Sequence, residues 1–314
     1  MGALLLVLAG VVAYALWTEG EPEMRTADDV STAAISFTDR SADTDAGELH
    51  YVIGGEGPPV LLLSGFPETW YAWRKVMPLL AVDHTVIAVD PPGVGESSIP
   101  ANELDSRDVA AGLSQLLRQA GAARAAVVGH DLGGWIAYAL ARFQPRSVSS
   151  LAVLGAGLPG FGLERRLDYS VAGRGSLWQL VLFMQPAAGV LLEDREEELV
   201  SGFLAAGETL PGTFDGGAEE EYVRALSRPG RLAAALAPYR AFYRDLEDNR
   251  SAGAPPLTLP VLALDGERAG GELNLRSVRR AAPGARSGLV PDAGHFFPEE
   301  RPGYVADRLL RFLR

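Results

Sequence analysis

Apolar positions along this chain follow two rhythms. Between residues 34 and 159, short apolar runs alternate with longer segments in which apolar residues return every third or fourth position. The short runs predict strands at 34–40, 48–54, 60–63, 85–89, 125–128 and 148–154. The first two mix apolar and polar residues. The later ones are nearly continuous, the mark of strands covered on both faces. Helices are predicted over 70–80, 106–120 and 135–143. In the second, Val109, Leu113, Leu116 and Leu117 share a face and Ser106 stands at the capping position. Strands alternating with helices predict an α/β fold with a mostly parallel, doubly wound sheet.

The rhythm changes at Gly160. From there to about residue 250 the chain is rich in Leu, Ala, Glu and Arg, with helical runs and no strand pattern. Ala254-Pro255-Pro256 ends this stretch. Strand 261–264, helix 273–282, strand 287–290 and a closing helix from Pro302 then resume the first rhythm, the last with Val305, Leu309, Leu310 and Leu313 on one face. A helical insert in such a sheet predicts a cap over the strand ends, where open α/β sheets bind ligands. The expected organisation is a core at 34–159 and 253–314, a cap at 160–252, a linker at 21–33 and a separate segment at 1–20.

Composition narrows the function. The net charge of −12 repels a phosphate backbone and excludes nucleic acid as an expected partner. Cysteine is absent, which excludes thiol catalysis, disulfides and thiolate metal sites. Residues 2–17 carry no charge and are followed by Glu19, Glu21 and Glu23. Sixteen residues is short of the about 20 that span a bilayer. Ala13-Tyr14-Ala15 resembles a cleavage pattern, although no Lys or Arg precedes the run. The expectation is a signal or anchor, and with it an exported or membrane-tethered protein; a cytoplasmic location is the alternative.

The chemistry centres on Gly129-His130-Asp131-Leu132-Gly133-Gly134-Trp135. A strand leads into it and a helix leads out, with small residues around one central side chain. This is the arrangement of a nucleophile elbow, with Asp131 where Ser is usual. Two further features fall at strand C-terminal ends: Ser64-Gly65-Phe66-Pro67 and Asp292-Ala293-Gly294-His295-Phe296. Of the four His, His295 alone sits in a Gly-preceded loop downstream of the nucleophile. A carboxylate nucleophile has a chemical meaning. Ser attacking an alkyl carbon would leave an ether that water could not open, whereas Asp leaves a hydrolysable ester. Asp131 therefore implies substitution at an sp³ carbon, at an epoxide C–O or a C–halogen bond.

These motifs, with Asp90-Pro91-Pro92-Gly93-Val94-Gly95-Glu96-Ser97 and Gly294-His295-Phe296-Phe297-Pro298-Glu299-Glu300, resemble the epoxide hydrolase branch of the α/β-hydrolases, close to the bacterial Cif-type enzymes. The resemblance covers residues 35–314. It implies the α/β-hydrolase fold, a small hydrophobic epoxide substrate, no metal and no organic cofactor, with a homodimer as a candidate assembly. It implies that His295 activates water against an Asp131 ester, and that backbone N–H groups of Phe66 and Leu132 hold the oxyanion. Tyr239 matches the family's cap proton donor, with Tyr243 in reserve, and Gln179 stands where the subgroup's second cap donor would be. Trp135, Tyr243 and Phe296 are candidate pocket residues.

The chain departs from the family in three places. Ser64 replaces the His that usually opens the Gly-Phe-Pro turn. The two usual positions of the acid that supports His295 hold Gly155 and Ala269. Asp265 is the first candidate to replace that acid and Glu267 the second. Two other readings stay open: a dehalogenase using the same Asp131, disfavoured by Leu132 and the lack of Arg just after the nucleophile, and a degenerate hydrolase that binds without turnover.

Overall fold

The computed structural model describes residues 24–167, 177–214, 217–251 and 255–314. The hydrophobic segment at 1–20 lies outside the described residues. Among those described, no helix is long and apolar enough to cross a membrane.

Eight strands form one sheet in the order β1-β2-β4-β3-β5-β6-β7-β8. They are β1 (Phe37–Thr44), β2 (Gly47–Gly54), β3 (Pro59–Leu63), β4 (Thr85–Val89), β5 (Ala125–His130), β6 (Val148–Leu154), β7 (Val261–Gly266) and β8 (Arg286–Val290). β2 is antiparallel to both β1 and β4, and every later pairing is parallel. The continuous apolar runs are the buried central strands; every residue of β5 and β7 is buried. The helices of the first part are α1 (Met77–Leu80), α2 (Ser106–Gln119) and α3 (Leu132–Phe143). Between β6 and β7 the described residues hold a 3-10 turn (Leu163–Arg166) and then α4 (Trp178–Phe183), α5 (Ala187–Leu192), α6 (Glu196–Gly207), α7 (Ala218–Ser227), α8 (Arg231–Ala235), α9 (Ala237–Arg240) and α10 (Phe242–Arg250). The core resumes with α11 (Glu272–Ala281), α12 (Phe297–Glu300) and α13 (Pro302–Leu313).

Three expectations change, each for a local reason. The first strand starts at Phe37, because Thr32 and Ser31 hydroxyls capture the N–H groups of Ala34, Ile35 and Phe37 and hold the preceding residues in a turn. The helix expected over 70–80 is split into a 3-10 turn, Trp70–Trp73, and α1. Pro78, at the head of α1, has no N–H for a continuous helix to use. The cap of α2 is Asp105, whose carboxylate accepts from the N–H groups of Arg107 and Asp108. Ser106 is instead the first helical residue, and its hydroxyl donates to Asp245 at 2.6 Å.

Candidate active site

Asp131 sits between β5 and α3 at φ 50° and ψ −121°, a backbone region that costs a non-glycine residue of order 1–3 kcal/mol. The turn aims its carboxylate away from the sheet. One oxygen, Oδ2, accepts from the Phe66 N–H at 3.1 Å. The other, Oδ1, lies 3.8 Å from Nε2 of His295. Leu132 is the first residue of α3, so its N–H has no partner within the helix. The two backbone donors named from the sequence therefore flank the Asp131 side chain. Phe66 N–H is already on the carboxylate, while Leu132 N–H makes no hydrogen bond to it.

Aromatic rings gather around this site. Phe66 packs against Phe183 and Phe203, both at 5.3 Å between centroids, and Tyr239 packs against Phe183 at 5.2 Å and Phe66 at 6.1 Å. Tyr239 is 2% exposed. Burial and the charge of Asp131 raise its phenol well above the usual value, so it keeps its proton. Trp135 stands behind Tyr239 at 6.2 Å, with its indole N–H on Gly157 O at 2.8 Å. Phe296 is fully buried beneath His295, 5.0 Å between rings. Gln179 lies on α4, which packs against α9 and so against the helix of Tyr239.

Tyr243 is corrected. It is 61% exposed and lies against Phe242 on the outer side. Four residues apart, Tyr239 and Tyr243 would be neighbours on one face of an unbroken helix. The helix is interrupted at Ala241, between α9 and α10, so the two rings do not share a face. Phe242 instead turns inward, 5.6 Å from Trp135.

The support expected for His295 is also corrected. Among the described residues, no carboxylate oxygen other than that of Asp131 lies within 4.0 Å of its ring nitrogens. Glu267 accepts from the Asp292 N–H at the surface. Asp265 is fully buried at the end of β7. Its carboxyl faces the Asn274 amide and the Gly271 N–H, neither of which completes a hydrogen bond of normal geometry. Burial pushes its pKa up to about 6. The loop carrying His295 lies close over the strand ends that would carry such an acid. It returns from β8 towards β5 across the ends of β7 and β6. A Cβ on Gly266 would lie 1.9 Å from Gly294 O, and one on Gly155 would meet the His130 ring at 3.1 Å and Phe297 at 3.4 Å.

His130, which the sequence presented only as the residue before the nucleophile, supplies a different support. Its Nδ1 meets Glu68 at 3.1 Å, and its Nε2–H donates to the carbonyl of His295 at 2.9 Å. Both side chains are buried, at 2% and 1% exposure. Burial alone would lower the His130 pKa; the Glu68 charge and hydrogen bond, with Asp131, outweigh it and bring it to about 9. The balance favours the charged form of His130, held by Glu68. His295 goes the other way, to about 4, because burial and the nearby His130 and Arg166 charges outweigh the attraction of Asp131. A signal for the pair was present: a His closing a fully apolar strand must find a buried partner, and Glu68 directly follows the Gly-Phe-Pro turn. Behind it lies a second cluster, in which Glu299 accepts from Arg74 at 2.5 Å and from the Tyr222 hydroxyl at 2.6 Å.

A mostly apolar cavity of about 50 Å³ borders the oxyanion turn. Pro67, Pro92, Leu104, Leu132, Ile136 and Pro238 are among its walls. The described residues hold no cluster of metal-ligating side chains.

Residues 58–302 match the family model for the alpha/beta hydrolase fold. A soluble epoxide hydrolase from Corynebacterium sp. is 31% identical over 287 residues, covering 89% of this chain and 98% of the relative. A fluoroacetate dehalogenase from Burkholderia sp. is 32% identical over 291 residues, covering 88% and 94%. The crystal structure of Cfl2 from Burkholderia cenocepacia is similar with a TM-score of 0.82 and 34% identity, over 93% of this chain and 100% of that one. A match of that extent, on a sheet of this order with a strained turn at its nucleophile, makes the chain a member of the α/β-hydrolase fold family, of the epoxide hydrolase-like kind.

Proposed function

We propose that the protein opens an epoxide to a vicinal diol through an ester on Asp131. Oδ1 forms a bond to an epoxide carbon while that carbon's bond to the ring oxygen breaks. Tyr239 gives its proton to the departing oxygen. Water then attacks the ester carbonyl as His295 Nε2 takes its proton, and the oxyanion forms on Oδ2 beside the N–H groups of Phe66 and Leu132. One such donor is worth roughly 2.7–4 kcal/mol in acyl-transfer enzymes. Collapse of the intermediate expels the diol oxygen, which takes the proton from His295. The Asp131 carboxyl returns the remaining proton to Tyr239.

The observation that carries this reading is the Asp131 carboxylate itself, with one oxygen on the Phe66 N–H and the other facing His295. A buried phenol kept protonated beside it is what an opening epoxide needs and what a departing halide does not. The test incubates the protein with styrene oxide or an epoxy-fatty acid and compares it with Asp131→Ala. Diol formed by the native protein and lost in the variant supports the reading.

A dehalogenase is the second reading, favoured by the 32% identical fluoroacetate dehalogenase. Halide release from fluoroacetate or haloalkanes, without diol from epoxides, would replace the first reading by the second. No diol and no halide from a folded protein would leave a binding role. The uncharged segment at 2–17 supports a membrane-tethered or exported site of action. Fractionation of cells expressing the chain with and without its first 20 residues tests that.

A further inference from the structure

Among the described residues only Asp131 brings a carboxylate within 4.0 Å of the His295 ring, and the residue is held through its backbone. Three hydrogen bonds do this. His295 N–H donates to Gly207 O at 3.0 Å, its carbonyl accepts from His130, and the preceding N–H, of Gly294, donates to Glu300 Oε2 at 2.7 Å. The other oxygen of Glu300 accepts from the Thr209 N–H at 2.9 Å. Glu300 closes α12, five residues after His295. Gly207 closes α6, and Thr209 lies just beyond it. A single carboxylate thus joins the loop of the catalytic base to the chain leaving the inserted helices. The two backbones meet closely enough that a Cβ on Gly294 would lie 2.3 Å from Gly207 O.

We propose that Glu300 is a positioning residue: through the N–H groups of Gly294 and Thr209 it fixes the His295 ring over Asp131, and it makes that placement depend on the inserted helices staying seated. The proposal rests on the ester reading above. Glu300 touches neither Asp131 nor Tyr239, so it acts on the second half of the reaction. Both its oxygens accept from backbone N–H groups, which a carboxylate does well and a carboxamide can do only once. The charged groups acting on the His295 ring, Asp131, His130 and Arg166, keep their side chains in a change at Glu300.

The experiment compares Glu300→Gln and Glu300→Asp with the native protein. Single-turnover mixing with styrene oxide, followed by intact-mass analysis, separates formation of the Asp131 adduct from its hydrolysis. In Glu300→Gln the adduct forms at the native rate and decays on the order of 10–100-fold more slowly, the factor for losing one hydrogen bond to a charged group. Glu300→Asp, which keeps both acceptors on a shorter arm, falls between the two. NMR titration of the His295 imidazole is read in parallel without substrate. The native ring titrates at about 4, and the ring of Glu300→Gln moves up towards the ordinary value as it loosens and takes on water. Equal slowing of both steps, or an unmoved His295 titration in Glu300→Gln, overturns the proposal. Absence of any adduct in His295→Gln, where the second step is stopped, refutes the ester reading instead, and the titration still decides the role of Glu300.

Discussion

Glu68 and His130 form a buried ion pair at 3.1 Å, and the far nitrogen of His130 holds the carbonyl of His295. A charged pair removed from water contributes only if both ends stay matched. Removing one end of such a pair typically costs about 3–5 kcal/mol. Glu68→Gln is therefore expected to lower stability by an amount of that order, read from urea denaturation. The pH dependence gives the sign. The folded-state pKa of His130, about 9, is raised above the ordinary 6.5. Its contribution is fully present below pH 6.5 and is lost as the pH rises through about 9. The native protein and Glu68→Gln should thus converge in stability above that pH. A gap that persisted at pH 10 would count against an ionic pair.

His295 titrates at about 4, so it is already a free base at mildly acid pH. Hydrolysis of the Asp131 ester should keep an acid limb near pH 4, well below the position of an unperturbed His. Replacing the base by Gln should leave the first step and stop the second. The product of His295→Gln is then an enzyme heavier by one substrate molecule. A limb near pH 6.5 in the native protein would show that His295 is not held as described.

Tyr239 has one hydroxyl, buried and protonated, next to Asp131. In Tyr239→Phe the roof of rings should persist while proton transfer is lost, at a cost of about 10²–10⁴ in the rate of ring opening. Quenched-flow measurement of adduct formation from styrene oxide reads this directly. Tyr243→Phe, altered at an exposed ring, should leave the same rate within about twofold.

Asp265 carries an opposite expectation. Its pKa is raised to about 6 by burial, so at neutral pH the fold holds an ionised carboxyl that the unfolded chain would ionise more easily. That penalty is absent below pH 3.8 and fully present above about 6. Asp265→Asn should raise the unfolding free energy at pH 7, read from urea denaturation, by an amount on the order of 1–3 kcal/mol, following the shift of about two pH units, and should leave turnover near native. A collapse of turnover would return Asp265 to the reaction.

The parts of the fold legible in the sequence were those set by local pattern. The buried strands announced themselves because a parallel strand covered on both faces has no polar side to confuse the signal. Asp131, Phe66, Leu132 and His295 were legible because elbow, turn and loop are each local. The support of His295 was not. Glu68 lies 62 residues before His130 in the chain, and Glu300 answers Thr209 across 91. Neither pairing leaves a spacing that a single chain displays. Tyr243 was misread because helical spacing assumes an unbroken helix, and the break at Ala241 has no Pro or Gly to mark it.

The loop that brings His295 back to Asp131 rests directly on the ends of β6 and β7, over Gly155 and Gly266. Those two glycines keep the backbone beneath the loop bare. An acid restored at residue 155 would meet the His130 ring before it reached His295, and any side chain at 266 would first have to lift the loop off the sheet. A side chain at either glycine would disturb the placement of His295 before it could reach the ring, so the geometry of the base is tied to bare backbone at two strand ends.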